Sequence, residues 1–434
     1  MKICIICSRL SYGGAERVAV AWANGFPRKG YEVMVITNLY APITYQLDKK
    51  IEIRHLVSTN HNKLKKWLSS FGNVRKNLKK YQPNAIIGVL PTCSFVAKIA
   101  SIGLHIPLIA TEHDSFERPE SAPFSLIDKV LKFCINKIYG NITVLTGADK
   151  DVIGTRLSHI HVMPNPLVLQ PVITMPLKRN VILAAGRLDA WHVKGFDVLI
   201  KAFAKLVQGS SQSEAAKPSA WFKVKNERWK LQITGTGSSE SQNYLKQLCK
   251  ENGVEDYVEF QGFRKDVEKL YQDASIFVLS SRFEGFGLVL IEAMSQGCAC
   301  VACDYKGRQR EIIAPHEGEC QDSSLKFQDS SVDGQKESED TSISNSKISQ
   351  KQETAEGPQT RNLNPETQNS KFEACENGIL CEPDNVETLA DALVKMLTDD
   401  DYRERVRKNA LERSKYYSIE NTIDRWEKYL KQLE

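Results

Sequence analysis

Residues 276–296 read IFVLSSRFEGFGLVLIEAMSQ. Ile276–Ser280 is a short apolar run of the kind that forms a strand buried on both faces of a parallel sheet. Phe283-Glu284-Gly285-Phe286-Gly287 is a glycine-rich turn. From Leu288 to Gln296 the apolar residues Leu290, Ile291 and Met294 recur at helical spacing. Strand, glycine turn and helix in succession are one unit of a doubly wound α/β sheet. The glycines let backbone amides approach an anion closely, and the helix aims its free amides and positive dipole end at the same point. Glu284 precedes the helix and Glu292 lies roughly 7–8 Å along it from Gly287. Two carboxylates therefore flank a phosphate-binding turn, and carboxylates accept hydrogen bonds from paired hydroxyls such as those of sugar rings.

The same alternation extends in both directions. Before Pro164-Asn165-Pro166, strands are expected at Lys2–Cys7, Val33–Thr37, Ile51–Leu56, Ala85–Val89, Pro107–Glu112 and Ile142–Thr146. After it, strands are expected at Val181–Ala185, Lys230–Thr234, Val258–Gln261, Ile276–Ser280 and Cys298–Cys303, with helices between them. Two such series predict two Rossmann-like domains facing across a cleft, with ligands at the carboxyl ends of the strands. The expected division is residues 1–176, residues 177–416, and a C-terminal helix in 417–434 that packs back on the first domain. Two stretches break the pattern. Residues 208–226 form a polar insertion, and 317–371 is a Ser, Gln, Glu and Asn-rich segment expected to be disordered, because it holds too little apolar surface to offset its ordering entropy.

The chain has 434 residues and a net charge of +5, unevenly spread. Residues 1–178 carry 23 Lys/Arg against 11 Asp/Glu, and the remainder carries 35 against 42. This asymmetry predicts two halves with different partners. No stretch approaches the roughly 20 apolar residues that span a bilayer, and the apolar start Ile3–Cys7 is too short for a signal peptide. A cytosolic location is expected. Two Cys-x-x-Cys spacings, Cys4–Cys7 and Cys300–Cys303, lie in strand-like runs, where residues three apart face opposite sides. They read as buried thiols. No cluster has metal-ligand spacing, and Asp399-Asp400-Asp401 reads as a helix cap.

Further elements point to the same cleft. Gly186-Arg187-Leu188 follows a strand, and Lys194-Gly195-Phe196-Asp197 opens the next helix, so two cations sit where they can neutralise a diphosphate. Ser11-Tyr12-Gly13-Gly14-Ala15-Glu16 joins the first strand to the first helix, and Thr111-Glu112-His113 ends another strand. With Glu284 and Glu292 seven residues apart, the chain resembles the retaining glycosyltransferases of family 4, which have the GT-B fold and an E-x7-E element. The resemblance covers nearly the whole chain outside the two insertions.

It implies that Glu284 contacts the donor hexose and Glu292 holds the ribose hydroxyls. The amides of Gly285, Phe286, Gly287 and Leu288 would bind the donor diphosphate. Arg187 and Lys194 would stabilise that diphosphate as it leaves. Gly13 and Gly14 would face donor phosphate and acceptor, and His113 would touch the transferred sugar. Gly235 stands where the family has a turn near the nucleotide, and Phe263 and Arg264 stand where the base is held. Between Asp304 and Glu311 the family often has two adjacent glycines. This chain has Gly307 alone among Lys306, Arg308 and Arg310, a change expected to bear on donor choice.

The implied reaction is transfer of a hexosyl unit from a nucleotide diphosphate sugar, UDP-linked ahead of GDP-linked, to a glycan or lipid-linked acceptor, without a catalytic metal or other cofactor. Another GT-B activity such as epimerisation, and a non-catalytic sugar-nucleotide-binding protein, are the alternatives. The basic stretch Lys63–Lys80 reads as an amphipathic helix. Leu64, Trp67, Leu68, Phe71, Val74, Leu78 and Tyr81 are placed on one face, and Lys63, Lys65, Lys66, Arg75, Lys76, Lys79 and Lys80 on the rest. It reads either as a packed helix with a solvated face or as a contact to anionic membrane. No nucleic-acid partner is expected, since no binding module accompanies the charge.

Overall fold

The structure, a computed structural model, describes residues 1–11, 13–57, 63–119, 123–210, 222–224, 227–314 and 372–433, without the side chains of 63–67, 127, 128, 131, 210, 222 and 223. The expectation for 317–371 lies outside these residues.

The first half builds a seven-stranded sheet from β1 (Lys2–Ile6), β2 (Glu32–Thr37), β3 (Glu52–His55), β4 (Ala85–Val89), β5 (Leu108–Thr111), β6 (Asn141–Val144) and β7 (Ile160–Val162). Its order is β3-β2-β1-β4-β5-β6-β7, and every pairing is parallel. The second half adds β8 (Arg179–Ala185), β9 (Phe222–Val224), β10 (Glu227–Thr234), β11 (Val258–Gly262), β12 (Ala274–Leu279), β13 (Ala299–Cys303), β14 (Glu373–Cys375) and β15 (Gly378–Cys381). Its order, β11-β10-β8-β12-β13-β15-β14, follows the first with β8 in the place of β1, except at the edge, where β14 precedes β15 and pairs with it antiparallel. These are two Rossmann-like sheets, each reversing direction at a switch point: between β1 and β4, and between β8 and β12.

The central strands are buried along their length because both faces are covered. The cysteine pairs divide between those faces. Cys4 and Cys7 belong to opposite core clusters, as do Cys300 and Cys303. Burial pushes the thiols of all four above the ordinary range. Among the described residues no group of side chains could hold a metal ion.

Three sequence expectations need correction. The ends of the polar stretch 208–226 belong to the fold. The helix Phe196–Ser210 runs into it, and β9 pairs antiparallel with β10, Phe222 opposite Trp229. The alternation of Phe222 and Val224 is itself a strand signal. β7 is three residues long, too short for its pattern to stand out. In the Lys63–Tyr81 helix, Val74 and Leu78 are buried, but Leu68 is 54% exposed. The neighbouring helix Leu90–Ser101 sets Phe95 against Phe71 and covers the later turns. Arg75 does not belong to a solvated cationic face either. Its Nη1 donates to the carbonyls of Ala100 and Ile102 at 2.9 and 2.7 Å, closing the end of that neighbour.

Two sets of contacts stand out among those that join the halves. The last helix, Ile419–Leu430, returns to the first half and packs on the helix Gly14–Gly25. Trp426 meets Trp22 edge-on with centroids 5.1 Å apart, and a β-carbon on Gly25 would lie 2.7 Å from Ile423. Arg28 pairs with Glu420 at 2.7 Å and Lys29 with Asp424 at 2.6 Å.

The second tie is the segment Asp304–Glu311. Arg308, fully buried, bonds Asp149 of the first half at 2.7 Å. Lys306 pairs with Glu117, and Glu311 accepts from the amides of Gly147 and Ala148 at 3.0 and 2.8 Å, the start of the helix Gly147–Ile153. Arg310 pairs with Asp304 and Glu373. Of the three cations expected to bear on donor choice, Lys306 and Arg308 are engaged in a brace between the halves, and Arg310 pairs within the second half.

This brace gives an asymmetric prediction. Asp149 also accepts from Phe116 N, Ser115 Oγ and Thr146 Oγ1, so Arg308→Met leaves its carboxylate solvated by the protein. Asp149→Ala strands a buried guanidinium that keeps Tyr305 O at 3.4 Å, Glu117 at 3.9 Å and the Tyr305 ring at 5.3 Å. Urea unfolding should show a cost of about 3–5 kcal/mol for Asp149→Ala and about 1–3 kcal/mol for Arg308→Met. Equal costs would sink this account of the pair.

Candidate functional site

The site forms where the strands of the second sheet end. β8 delivers Gly186 and Arg187, β10 delivers Gly235, β11 delivers Phe263 and Arg264, and β12 delivers Ser280 to Glu284. β8 and β12 are neighbours with opposite winding on their outer sides, so their ends open a crevice. The backbones there are packed too closely for side chains. A β-carbon on Gly235 (φ +152°) would lie 1.7 Å from Gly186 O, and one on Gly195 (φ +63°) would lie 1.9 Å from Ser280 O.

Seven positions separate Arg187 from Lys194, and the intervening residues fold as a short turn, Leu188–Ala190, and a four-residue helix, Trp191–Lys194. Gly195 stops that helix in the left-handed region. Ser280 Oγ donates to Lys194 O at 2.9 Å, and Arg282 N donates to Val193 O at 2.9 Å. Lys194 Nζ consequently reaches Oε1 of Glu284, which also accepts from Ser281 Oγ at 3.2 Å. Arg187 is exposed at the mouth of the crevice.

Gly287 (φ +99°) turns the chain into the helix Leu288–Ser295, with Phe286 buried beneath it. Glu292, five residues in, is buried. Arg17 Nη2, from the first half, lies 2.7 Å from its Oε1, and Tyr271 donates its hydroxyl to Oε2 at 3.3 Å. Burial pushes the Glu292 carboxyl above the usual carboxylate range, with Arg17 and Tyr271 opposing it. Burial likewise holds the Tyr271 phenol protonated, so it remains a donor.

The first half closes the crevice from the other side. A β-carbon on Gly14 would lie 3.3 Å from Leu288 Cδ1, which brings the Gly13-Gly14 turn against the start of the second-half helix. One on Gly285 would lie 3.2 Å from Ser115 N and 3.4 Å from His113 O. Arg118 stacks over Phe283 at 5.0 Å. His113 thus reaches the site through its backbone. Its ring turns inward: Nε2 bonds Thr111 Oγ1 at 3.0 Å, and Nδ1 is enclosed, with Asn165 near it but not aligned as a hydrogen bond. Burial pushes the imidazole down to about 4. Phe263 is half exposed, and Arg264 forms a two-pronged pair with Asp266 at 2.8 and 2.7 Å. Of the lysines proposed for a membrane face, Lys76, Lys79 and Lys80 are exposed and far in sequence from this crevice, and the side chains of Lys63, Lys65 and Lys66 lie outside the described residues.

Sequence reading missed the supports. Arg282 sits inside the quoted motif. It bonds Asp197 at 2.7 Å through both terminal nitrogens, Asp384 at 2.7 Å and His192 O at 2.6 Å, fixing the Lys194 turn to the Glu284 turn. Buried Lys132 and Asn136 bond Glu112 at 3.2 and 3.0 Å and anchor the loop that holds His113. Arg17 had a weak signal, its place one turn after the glycine pair.

Comparison with known proteins bears on the family of the chain. The profile "Glycosyltransferase Family 4" matches residues 12–170 and "Glycosyl transferases group 1" matches residues 169–349. An uncharacterised glycosyltransferase of Haemophilus influenzae is 29% identical over 70% of this chain and 80% of its own length. A GalNAc-α-(1→4)-GalNAc-α-(1→3)-diNAcBac-PP-undecaprenol α-1,4-N-acetyl-D-galactosaminyltransferase of Campylobacter jejuni is 28% identical over 73% of this chain and 84% of its own. The solved structure of Anabaena HepE with UDP and glucose superposes over the whole of both chains with a TM-score of 0.66 at 18% identity, a likeness of fold. The chain belongs to the family 4, group 1 type glycosyltransferases and has the GT-B fold. It is a glycosyltransferase.

His113 supplies a pH prediction. Its folded pKa, about 4, lies below the ordinary histidine value near 6.5. The unfolded chain therefore binds the proton first as pH falls, and the stability His113 contributes is present above about pH 6.5 and lost between there and pH 4. Lowering the pH from 7.5 to 5 should lower the melting temperature of wild type more than that of His113→Asn. The difference should be on the order of 2 kcal/mol. Equal losses would show that His113 is not desolvated.

Proposed function

We propose that the protein transfers a hexosyl unit, with retention of anomeric configuration, from a nucleotide diphosphate sugar to a hydroxyl of a lipid-linked or growing glycan in polysaccharide or lipopolysaccharide synthesis. The observation that carries this reading is the convergence of Glu284, Lys194 and the Gly285–Leu288 turn at the β8–β12 switch point, with Glu292 buried behind them. Glu292 takes the ribose hydroxyls and Glu284 orients the hexose. The amides of residues 285–288, Lys194 and Arg187 stabilise the departing diphosphate. The bond from the anomeric carbon to the phosphate oxygen breaks, and the acceptor oxygen bonds the same face of that carbon. The acceptor proton passes to the leaving phosphate, so no protein nucleophile and no metal ion is required.

Gly13, Gly14 and the His113 loop form the wall on the acceptor side, and Gly235, Phe263 and Arg264 lie at the base end. UDP is the preferred carrier, supported by the UDP and glucose in the Anabaena structure. A lipid-linked acceptor is supported by the undecaprenol in the name of the Campylobacter relative.

Incubation with UDP- and GDP-sugars and a polyprenyl-diphosphate glycan should release free nucleotide. Glu284→Ala and Lys194→Ala should lower kcat by about 10²–10³. Glu292→Ala and Arg187→Ala should weaken donor use. If the last two leave donor binding and turnover at wild-type levels, the site assignment is wrong. Donor binding with no turnover on any acceptor would leave a sugar-nucleotide-binding protein.

Among the described residues no helix is long and apolar enough to cross a membrane. The protein works at the cytosolic face of a membrane, held peripherally by the exposed lysines of the Lys63–Tyr81 helix at about 1 kcal/mol per well-placed cation. Replacing Lys76, Lys79 and Lys80 by Glu should release the protein from vesicles containing phosphatidylglycerol and leave turnover on a soluble acceptor unchanged. Undiminished co-sedimentation would remove this surface from the reading.

A further inference from the structure

Arg17 lies in the first turn of the helix Gly14–Gly25 and takes no part in the transfer described above. Its guanidinium reaches across to Glu292, with 23% of the Arg17 side chain and 2% of the Glu292 side chain exposed. The contact is short, 2.7 Å, yet among the described residues no donor is aimed at Glu292 Oε1 in hydrogen-bond geometry. The carboxylate thus has a counter-charge but an unfilled acceptor. Glu284, its companion, holds Lys194. Both glutamates of the pair carry a cation.

A nucleotide diphosphate sugar brings hydroxyls suited to the two carboxylates and a diphosphate suited to the two cations. We propose that Arg17 is a further cation of the donor diphosphate site, held on Glu292 and passed to the diphosphate when the ribose hydroxyls take the carboxylate. This rests on the donor-site reading above. The distances allow it. Gly14 abuts Leu288, the first residue of the helix whose preceding amides face the diphosphate, and Glu292 is four residues, about 6 Å, further along that helix. A change of rotamer on the long arginine stem covers that span.

The exchange also leaves no buried charge alone, which would be costly. Glu292 gives up one misaligned donor for hydroxyls, and the guanidinium gains oxygens that match its planar fork. A nucleoside without phosphates must displace Arg17 and offer it nothing. Arg17 therefore selects for the diphosphate twice, by attracting it and by guarding the ribose site against ligands that lack it.

The test compares UDP with uridine, and GDP with guanosine, by calorimetry on the full chain. Arg17→Met should weaken binding of the nucleoside diphosphate by about 30-fold or more. The same substitution should leave the nucleoside as tight as in wild type or tighter, so that only the diphosphate is weakened. Arg17→Lys keeps a counter-charge on Glu292 and loses the fork, so it should lie between and guard against a folding defect. Equal weakening of both ligands by Arg17→Met, with Arg17→Lys at wild-type values, would reduce Arg17 to a structural partner of Glu292. Unchanged diphosphate binding would also overturn the proposal, with the donor site intact. A wild-type chain that binds neither UDP nor GDP would instead overturn the donor-site reading itself.

Discussion

The site depends on two places where backbone meets backbone with no room for a β-carbon. Gly195 lies under the carbonyl of Ser280, and Gly235 lies under that of Gly186. These contacts fix how closely the ends of β8, β10 and β12 approach one another. Only with that spacing does the short helix Trp191–Lys194 deliver its last residue onto Glu284, and only then does Arg282 span from one turn to the other. A single added methyl group at either glycine would push the strand ends apart and separate the groups that meet there.

Charge does the rest of the joining. The basic excess of the first half is partly spent on the acidic second half, through Arg17 with Glu292, Arg28 with Glu420 and Lys29 with Asp424. The Asp304–Glu311 brace runs the opposite way, with cations of the second half on Asp149 and Glu117 of the first. Exposed pairs such as Arg28–Glu420 contribute little individually, whereas the buried Asp149–Arg308 pair fixes one relative position of its surroundings, because any other would leave a charge without a partner.

Much of this was legible in the residues. The apolar runs located eleven strands within a few positions, since strands buried on both faces leave an unbroken apolar signature. The glycines and glutamates of the 276–296 stretch marked the site because their spacing ties them to one turn and one helix. What stayed hidden were partners far apart in the chain. Nothing near Arg308 announces Asp149, and nothing near Arg17 announces Glu292, since such pairs arise only when the sheets are assembled. The inward turn of the His113 ring was hidden for the same reason. Arg75 looked like surface charge because helical periodicity does not reveal a neighbouring helix end.

The aromatic seam between Trp22 and Trp426 has a consequence for how the chain matures. The apolar face of the Gly14–Gly25 helix, made early in synthesis, has its cover in a helix made some four hundred residues later. Until residues 419–430 leave the ribosome, the first Rossmann-like sheet carries an unfinished surface around Trp22, Phe26 and Gly25. For that interval the nascent first half exposes apolar surface, and completion of its core waits for the return of residues 419–430.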